Sequence, residues 1–451
     1  MPRHSDYEQA VILSVILGSL AVLSLALLIW QWLAAMRFPL HERVSDRSFA
    51  PAVTIFKPLK GADAHTEKCL RSWFTQEYAG PIQILLGVHS ATDTACPVIN
   101  QLIAEFPTRD ARLVLTSGEL GTNGKVSNLA QLVNHAKHDV FVISDADVLA
   151  PPDFLVNTVA PLAANLKVGR ASRLPGERDS ASVELENTAP ASSALAGGTP
   201  ALLSIGLVNC FYRLANPTTL AMQWEAIAIN ADFWSQVLQS KSLKPLDFAL
   251  GAVMVTRRQQ LEEIGGFESL VNCLADDYQL GHRIAARGHG IFISPVVVEC
   301  WDPPQMLGSV LKHQLRWART IRVCQPVPYF FSILSNVTLW SLLWFIASWS
   351  QVVFNLKGSA SMPSPVSSFN FNFPWGAILL AAFCLVRVLI TFDLQRRITR
   401  SSSHLRFVWL APIKDLLQTF IWACAFAGNK IEWRGQKFHL RKDGTLAKIQ
   451  S

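Results

Sequence analysis

The chain has 451 residues, of which 50% are hydrophobic and 16% charged, with a formal net charge of +7. That balance, with a mean hydropathy of +0.26, excludes a string of ordinary soluble domains and fits a membrane protein carrying one soluble domain. The positive charge gathers at Arg316, Arg319 and Arg322, at Arg396, Arg397, Arg400 and Arg406, and at Lys430, Arg434, Lys437, Arg441 and Lys442. Each cluster flanks an apolar run, which points to anionic lipid and away from nucleic acid. The eight cysteines form no CxxC pair, so no zinc site is expected and a reducing compartment is.

Residues 10 to 33 carry no charge and are long enough to cross a bilayer core of roughly 30 Å. Trp30 and Trp32 supply an interfacial belt where a signal peptide would need a cleavage site, so residues 1–36 are expected to form a retained anchor. Arg37, Arg43 and Arg47 behind it place the following domain, residues 50–300, in the cytoplasm by the positive-inside rule. That domain alternates short apolar strands (53–56, 82–88, 111–115, 140–143) with helix-like segments, the pattern of a doubly wound α/β sheet. Ligands of such sheets bind at the carboxyl ends of the strands. There the chain places Lys57-Pro-Leu-Lys-Gly-Ala-Asp63, Gly121-Thr-Asn-Gly-Lys-Val-Ser-Asn128 and Ser144-Asp-Ala-Asp147.

If strand geometry persists past residue 144, Asp145 and Asp147 point the same way and suit a hard divalent cation, Mg2+ or Mn2+. Residues 170–205, rich in Ala, Ser, Gly and Pro, read as a flexible insertion. Strands are expected again at 206–212, 248–255, 290–294 and 296–299. Between them lies Leu274-Ala-Asp-Asp-Tyr-Gln-Leu-Gly-His-Arg283, where Asp276 and Asp277 open a helical pattern. The residues alone admit two readings of this pair, helix cap or reacting carboxylates.

Residues 301–328 contain an amphipathic, interfacial stretch with His313-Gln-Leu-Arg-Trp317, and 329–428 a C-terminal membrane region with spans at about 330–354 and 374–392. A third apolar run, 407–427, is interrupted by Pro412, Lys414 and Asp415. It is therefore expected to be re-entrant or interfacial, which keeps the basic tail 429–451 in the cytoplasm.

In this order, Lys57–Asp63, Asp145-Ala-Asp147, Ala275-Asp-Asp-Tyr278 and His313–Trp317, followed by membrane segments, resemble the ceramide glucosyltransferase family, glycosyltransferase family 21. The bacterial branch, including hopanoid-associated glycosyltransferases, is similar also at Glu225-Ala-Ile-Ala-Ile-Asn-Ala-Asp-Phe233 and Phe248-Ala-Leu-Gly251. The resemblance implies a GT-A catalytic domain that moves one hexose, with inversion, from a UDP-sugar to the hydroxyl of a membrane lipid. UDP-glucose and ceramide are the first expectation; UDP-N-acetylglucosamine and a hopanoid are the alternative. It implies that Asp63, Lys125, Asp145, Arg316 and Trp317 bind the nucleotide sugar, that Asp147 carries the metal and that Asp277 is the base. Asp276 is a supporting residue, as is His313, which stands where the family usually has Gln or Arg. A processive polysaccharide synthase would carry more spanning helices, a transporter more intramembrane charges, and a non-catalytic sugar- or lipid-binding protein would not need the full acidic set.

Overall fold

The computed structural model describes residues 4–163, 165–168, 201–358, 373–433 and 436–449. Of the expected insertion, residues 170–200 lie outside the described residues, as does Arg434, while 201–205 already form strand. The chain divides into a sheet unit (Phe38–Thr219, Ser240–Gln305, Lys430–Ser451) and a helical unit (Met1–Arg37, Leu220–Gln239, Met306–Asn429).

The strands of the sheet unit are β1 (Val53–Pro58), β2 (Ile82–Val88), β3 (Asp110–Leu115), β4 (Val140–Ser144), β5 (Val148–Leu149), β6 (Asn165–Val168), β7 (Ala201–Leu214), β8 (Val253–Arg257) and β9 (Gly290–Cys300). They form one sheet in the order β3-β2-β1-β4-β8-β7-β9-β5, with β6 paired to β7. Strands β3, β2, β1 and β4 are parallel, while β8 runs antiparallel to both β4 and β7. The expected α/β sheet is therefore present, and it is mixed. Every residue of β1 and β2 is buried, as a parallel sheet covered on both faces requires. One cover is the pair of helices Thr66–Phe74 and Ala95–Glu105, whose Leu70, Trp73, Ile99 and Leu102 share a core with Ile55, Ile84 and Leu86.

Three local differences from the sequence reading bear on the site. The strand expected at 248–255 begins only at Val253, because 248–252 is loop. The strands expected at 290–294 and 296–299 are one strand, whose register against β7 shifts between Ser294 and Val297. Pro295, which has no N–H to give, sits in that irregularity. Finally, strand geometry ends at Ser144, so Asp145 and Asp147 lie in a turn and the alternation argument for their direction does not apply.

Residues 430–449 add a separate antiparallel sheet to this unit: β10 (Lys430–Trp433), β11 (Gln436–Leu440) and β12 (Leu446–Lys448). Ile431, Phe438, Leu440 and Leu446 are its buried side chains.

In the helical unit, two helices among the described residues are long and apolar enough to cross a membrane, Val11–Met36 and Gly376–Thr399. A third span is available if Pro326–Ser335 and Val337–Trp349, bent by 54°, act together. The first helix meets the latter pair closely at Gly18, where a Cβ would stand 3.0 Å from Trp344, the small-residue packing common between membrane helices. Lys414 and Asp415, which interrupt the third apolar run, are buried on the Ala411–Phe426 helix and paired. Lys414 Nζ donates to Asp232, and Arg387 donates to Asp415 (2.8 and 2.9 Å) and to Asp232 (2.9 Å). Thr338 Oγ1 adds a hydrogen bond to Asp415 (2.8 Å), so the two cations and two anions form a neutral, hydrogen-bonded set.

Candidate active site

Lys125, in the helix after β3, joins the loop after β4 to the start of the Asp276–Ala286 helix. The Asn123 side chain accepts from the backbone N–H groups of Lys125 (3.1 Å) and Val126 (3.2 Å), capping the Gly124–Leu132 helix. This fixes Lys125, whose Nζ pairs with Asp145 Oδ1 at 2.6 Å and Asp276 Oδ2 at 3.0 Å. Burial would lower the lysine's pKa, but Asp145 and Asp276 more than offset it and hold the ammonium protonated. Asn123 Nδ2 also donates to Cys273 O (2.8 Å) and lies 3.4 Å from Asp276 Oδ1. Asp276 thus opens the Asp276–Ala286 helix while its side chain serves Lys125 and Asn123. The residue at the cap position is Ala275, and no side chain caps this helix.

Asp277 follows on the same first turn and faces the 248–252 loop. A Cβ at Gly251 would stand 2.6 Å from Asp277 Oδ2, so glycine leaves that carboxylate its room. Burial, then repulsion from Asp276, raises the Asp277 pKa to about 6 against the opposing pull of Lys125. Asp145 is tied to the same loop by its N–H, which donates to Ala252 O (3.2 Å).

Asp147 faces a cleft of about 240 Å³ lined by Lys60, Gly61, Asp63, His65, Trp301 and Asp147 itself, among others. The loop ending in Asp147 is joined to the end of β9 through β5 and through Trp301 N–H, which donates to Asp147 O (3.0 Å). Burial, then the charges of Asp145 and Asp302, pushes the Asp147 carboxyl up to about 7. Asp63 accepts from the N–H groups of His65 (2.8 Å) and Thr66 (3.0 Å) and from Thr66 Oγ1 (2.9 Å), so one of its oxygens is engaged in starting the Thr66–Phe74 helix. Lys68 Nζ lies 3.5 Å from the centre of the Trp301 ring.

Beneath these loops Lys57 is fully buried, donating to Ser144 Oγ (3.0 Å) and to Asp145 O. Burial lowers its pKa to about 8, while Asp147 and Asp145 support the charged form. Sequence reasoning quoted Lys57 and Asn123 within their motifs but gave them no role, and it missed Trp301 and Asp302. The one signal for Asn123 was its place directly before Gly124-Lys125 at a helix start.

Arg316, Trp317 and His313 lie in the helical unit, on the Leu307–Cys324 helix. His313 Nδ1 is 2.7 Å from Glu225 Oε1, which also accepts from Gln314 Nε2 (2.9 Å), and its ring meets that of Trp317 edge-on at 4.7 Å. Trp317 lies 6.2 Å from Phe233, centre to centre. Two of the segments quoted from the sequence, 225–233 and 313–317, therefore meet each other inside this unit.

The loops at the carboxyl ends of the strands, where these carboxylates and lysines gather, are the place where α/β sheets bind their ligands. The chain belongs to glycosyl transferase family 21, whose profile matches residues 16–188 and 200–446. It is 36% identical to the ceramide glucosyltransferase of Candida albicans over 136 residues, 28% of this chain and 25% of that one. It is 22% identical to ceramide glucosyltransferase 3 of Caenorhabditis elegans over 442 residues, 96% of this chain and 82% of that one. The chain thus spans a quarter of the fungal relative and most of the nematode one. Among solved structures, a mannosyltransferase of Pyrobaculum calidifontis in complex with GDP-Man and Mn2+ aligns with 19% identity and a TM-score of 0.46, covering 91% of this chain and 98% of that one.

Proposed function

We propose that this glycosyltransferase moves one hexose from a UDP-sugar to the hydroxyl of a membrane lipid, with UDP-glucose and ceramide as the pair, in keeping with the name ceramide glucosyltransferase that its relatives carry. The observation that carries the reading is the Lys125 bridge between Asp145 and Asp276, which draws Asp277 to the acidic loop after β4. Asp63, Lys125 and Asp145 bind the nucleotide and its diphosphate, with Lys125 acting as a half-buried positive charge. Asp277 takes the acceptor proton while the hydroxyl oxygen attacks the anomeric carbon from the face opposite the leaving group, inverting it. Asp276 orients Lys125. Arg316 and Trp317 enter the proposal through the sequence resemblance, as diphosphate and sugar contacts.

Among the described residues no group of three or more His, Cys, Asp or Glu stands ready to hold a metal alone. A Mg2+ or Mn2+ ion held by one or two carboxylates and completed by substrate phosphates and water needs no such cage. Asp147 fits it: a half-buried carboxylate on the cleft, repelled by Asp145 and Asp302, is the group a divalent cation relieves. When bound, such an ion stabilises charge on the departing diphosphate. The protein, a membrane protein by its apolar helices, belongs in this reading to the bacterial inner membrane, after its resemblance to the bacterial branch, with its sheet unit in the cytoplasm, a side favoured by Arg37, Arg43 and Arg47 behind the first span.

The test is transfer by the purified full chain from UDP-glucose to a short-chain ceramide with Mn2+, beside Asp277→Asn. Wild-type transfer and a loss of 10³-fold or more in the variant are expected; a folded Asp277→Asn that keeps near wild-type transfer places the base elsewhere. Mass spectrometry of lipids from a host lacking the gene identifies the natural pair, and loss of an N-acetylglucosaminyl hopanoid instead of glucosylceramide would replace the donor and acceptor named here.

A further inference from the structure

We propose that the turn joining β11 to β12 is a positioning strap for the start of the helix that carries Asp276 and Asp277. The proposal rests on the reading of Asp277 as the base.

The helix start needs outside support, because Ala275 at its cap position offers no side-chain acceptor to the first N–H groups. The preceding segment, 271–274, is held from two sides instead. On one side Asn123 N–H donates to Val271 O (2.7 Å), and Thr122 N–H donates to Asn272 Oδ1 (3.1 Å). On the other the strap pairs with it: Leu446 N–H donates to Asn272 O (2.8 Å), and Leu274 N–H donates to Gly444 O (3.2 Å). Cys273 and Thr445 sit opposite each other in this antiparallel bridge. The segment is in effect a strip between two pieces of chain remote in sequence, and its last residue is two short of Asp276.

The strap is itself shaped for this. Asp443 Oδ1 accepts from Thr445 N–H (3.0 Å) and Oγ1 (2.7 Å), and Gly444 N–H donates to Arg441 O (3.0 Å). Gly444 has a φ of +82°, and a Cβ there would lie 3.2 Å from Gln279 Nε2, on the first turn of the Asp276–Ala286 helix. Glycine answers both demands, the left-handed backbone and the close approach. The buried Phe438, Leu440 and Leu446 give the strap its foot in the small sheet.

The test uses the full-length chain in detergent and two variants. Gly444→Val, β-branched where φ is positive, is expected to lower kcat for transfer from UDP-glucose to short-chain ceramide tenfold or more. It should speed amide hydrogen exchange at 272–279 while β1, β2 and β4 keep their protection. In Thr445→Cys, oxidation should cross-link the new thiol to Cys273, since this bridge is of the narrow type with Cα atoms about 4.5 Å apart, and kcat should stay within threefold. A kcat within twofold of wild type in Gly444→Val, exchange that rises equally across the whole sheet, or failure of the cross-link overturns the strap. Asp277→Asn run alongside separates the two readings: if it retains transfer, the base assignment falls while exchange and cross-linking, which need no turnover, still decide the strap.

Discussion

At the scale of single residues, Gly251 and Asp277 define each other. Any side chain at 251 would take the space of a carboxylate oxygen, so Gly251→Ala must displace Asp277 or the loop. Because misplacement by about 1 Å can cost on the order of 10²-fold, a fall in kcat of that size is expected, with UDP affinity measured by calorimetry changed little. On the proposed reading of Asp277 as the base, the same carboxylate sets the acid limb of the rate. Burial and Asp276 disfavour its charged form, so protonation occurs near pH 6 in place of the ordinary 3.8. A base works only when unprotonated; kcat should therefore fall tenfold per pH unit below about 6 and level off above it. A limb near pH 4 would show that another group takes the proton.

At the scale of elements, glycine again decides how close the Asp276–Ala286 helix comes to its loop. A Cβ at Gly281 would stand 2.6 Å from the carbonyl carbon of Phe248 and 2.9 Å from Ala249 Cβ. Gly281→Ala is expected to destabilise the protein by about 1 to 3 kcal/mol, the usual effect of overpacking, read as a lower melting temperature of the solubilised chain. This contact also explains what the sequence hid. Phe248 to Val255 reads as one apolar strand, but its first half is the seat of a helix, and periodicity does not distinguish a buried strand from a buried loop. The first four strands were legible because each is a short apolar run closed by turn residues, and the loops that carry Asp63, Lys125, Asp145 and Asp147 stood out because they follow those runs, while the roles given to those residues come from the family resemblance. Asn123 and Trp301 were not, since their roles come from hydrogen bonds to Cys273 and Asp147, about 150 positions away along the chain.

At the scale of the whole molecule, the charges that made 407–427 look unfit for a membrane are answered from elsewhere in the helical unit. Removing one partner leaves the others buried and unpaired, so Arg387→Met should cost about 3 to 5 kcal/mol, seen as a loss of thermal stability or of folded yield in detergent. Asp232, which accepts from both Arg387 and Lys414, shows why the sequence could not reveal this: the neutralising residue precedes Lys414 by 182 positions. Orientation has its own check. On the proposed orientation, with the sheet unit in the cytoplasm, a tag fused after β12 should be digested by protease added to vesicles with the cytoplasmic side out; protection would place the tail across the membrane.

The membership of β10, β11 and β12 in the sheet unit also fixes an order of events. The ribosome releases β1 to β9 first, then the segments 306–429, and only afterwards the strands that pair with Asn272 and Leu274. A nascent chain halted before residue 430 carries every carboxylate of the site and lacks the strap. Synthesis at about 5 to 20 residues per second thus imposes a delay of about 10 to 30 seconds between making the acidic residues and bracing them, an interval in which the membrane helices can insert. Activity would then belong to chains that have completed their passage into the bilayer.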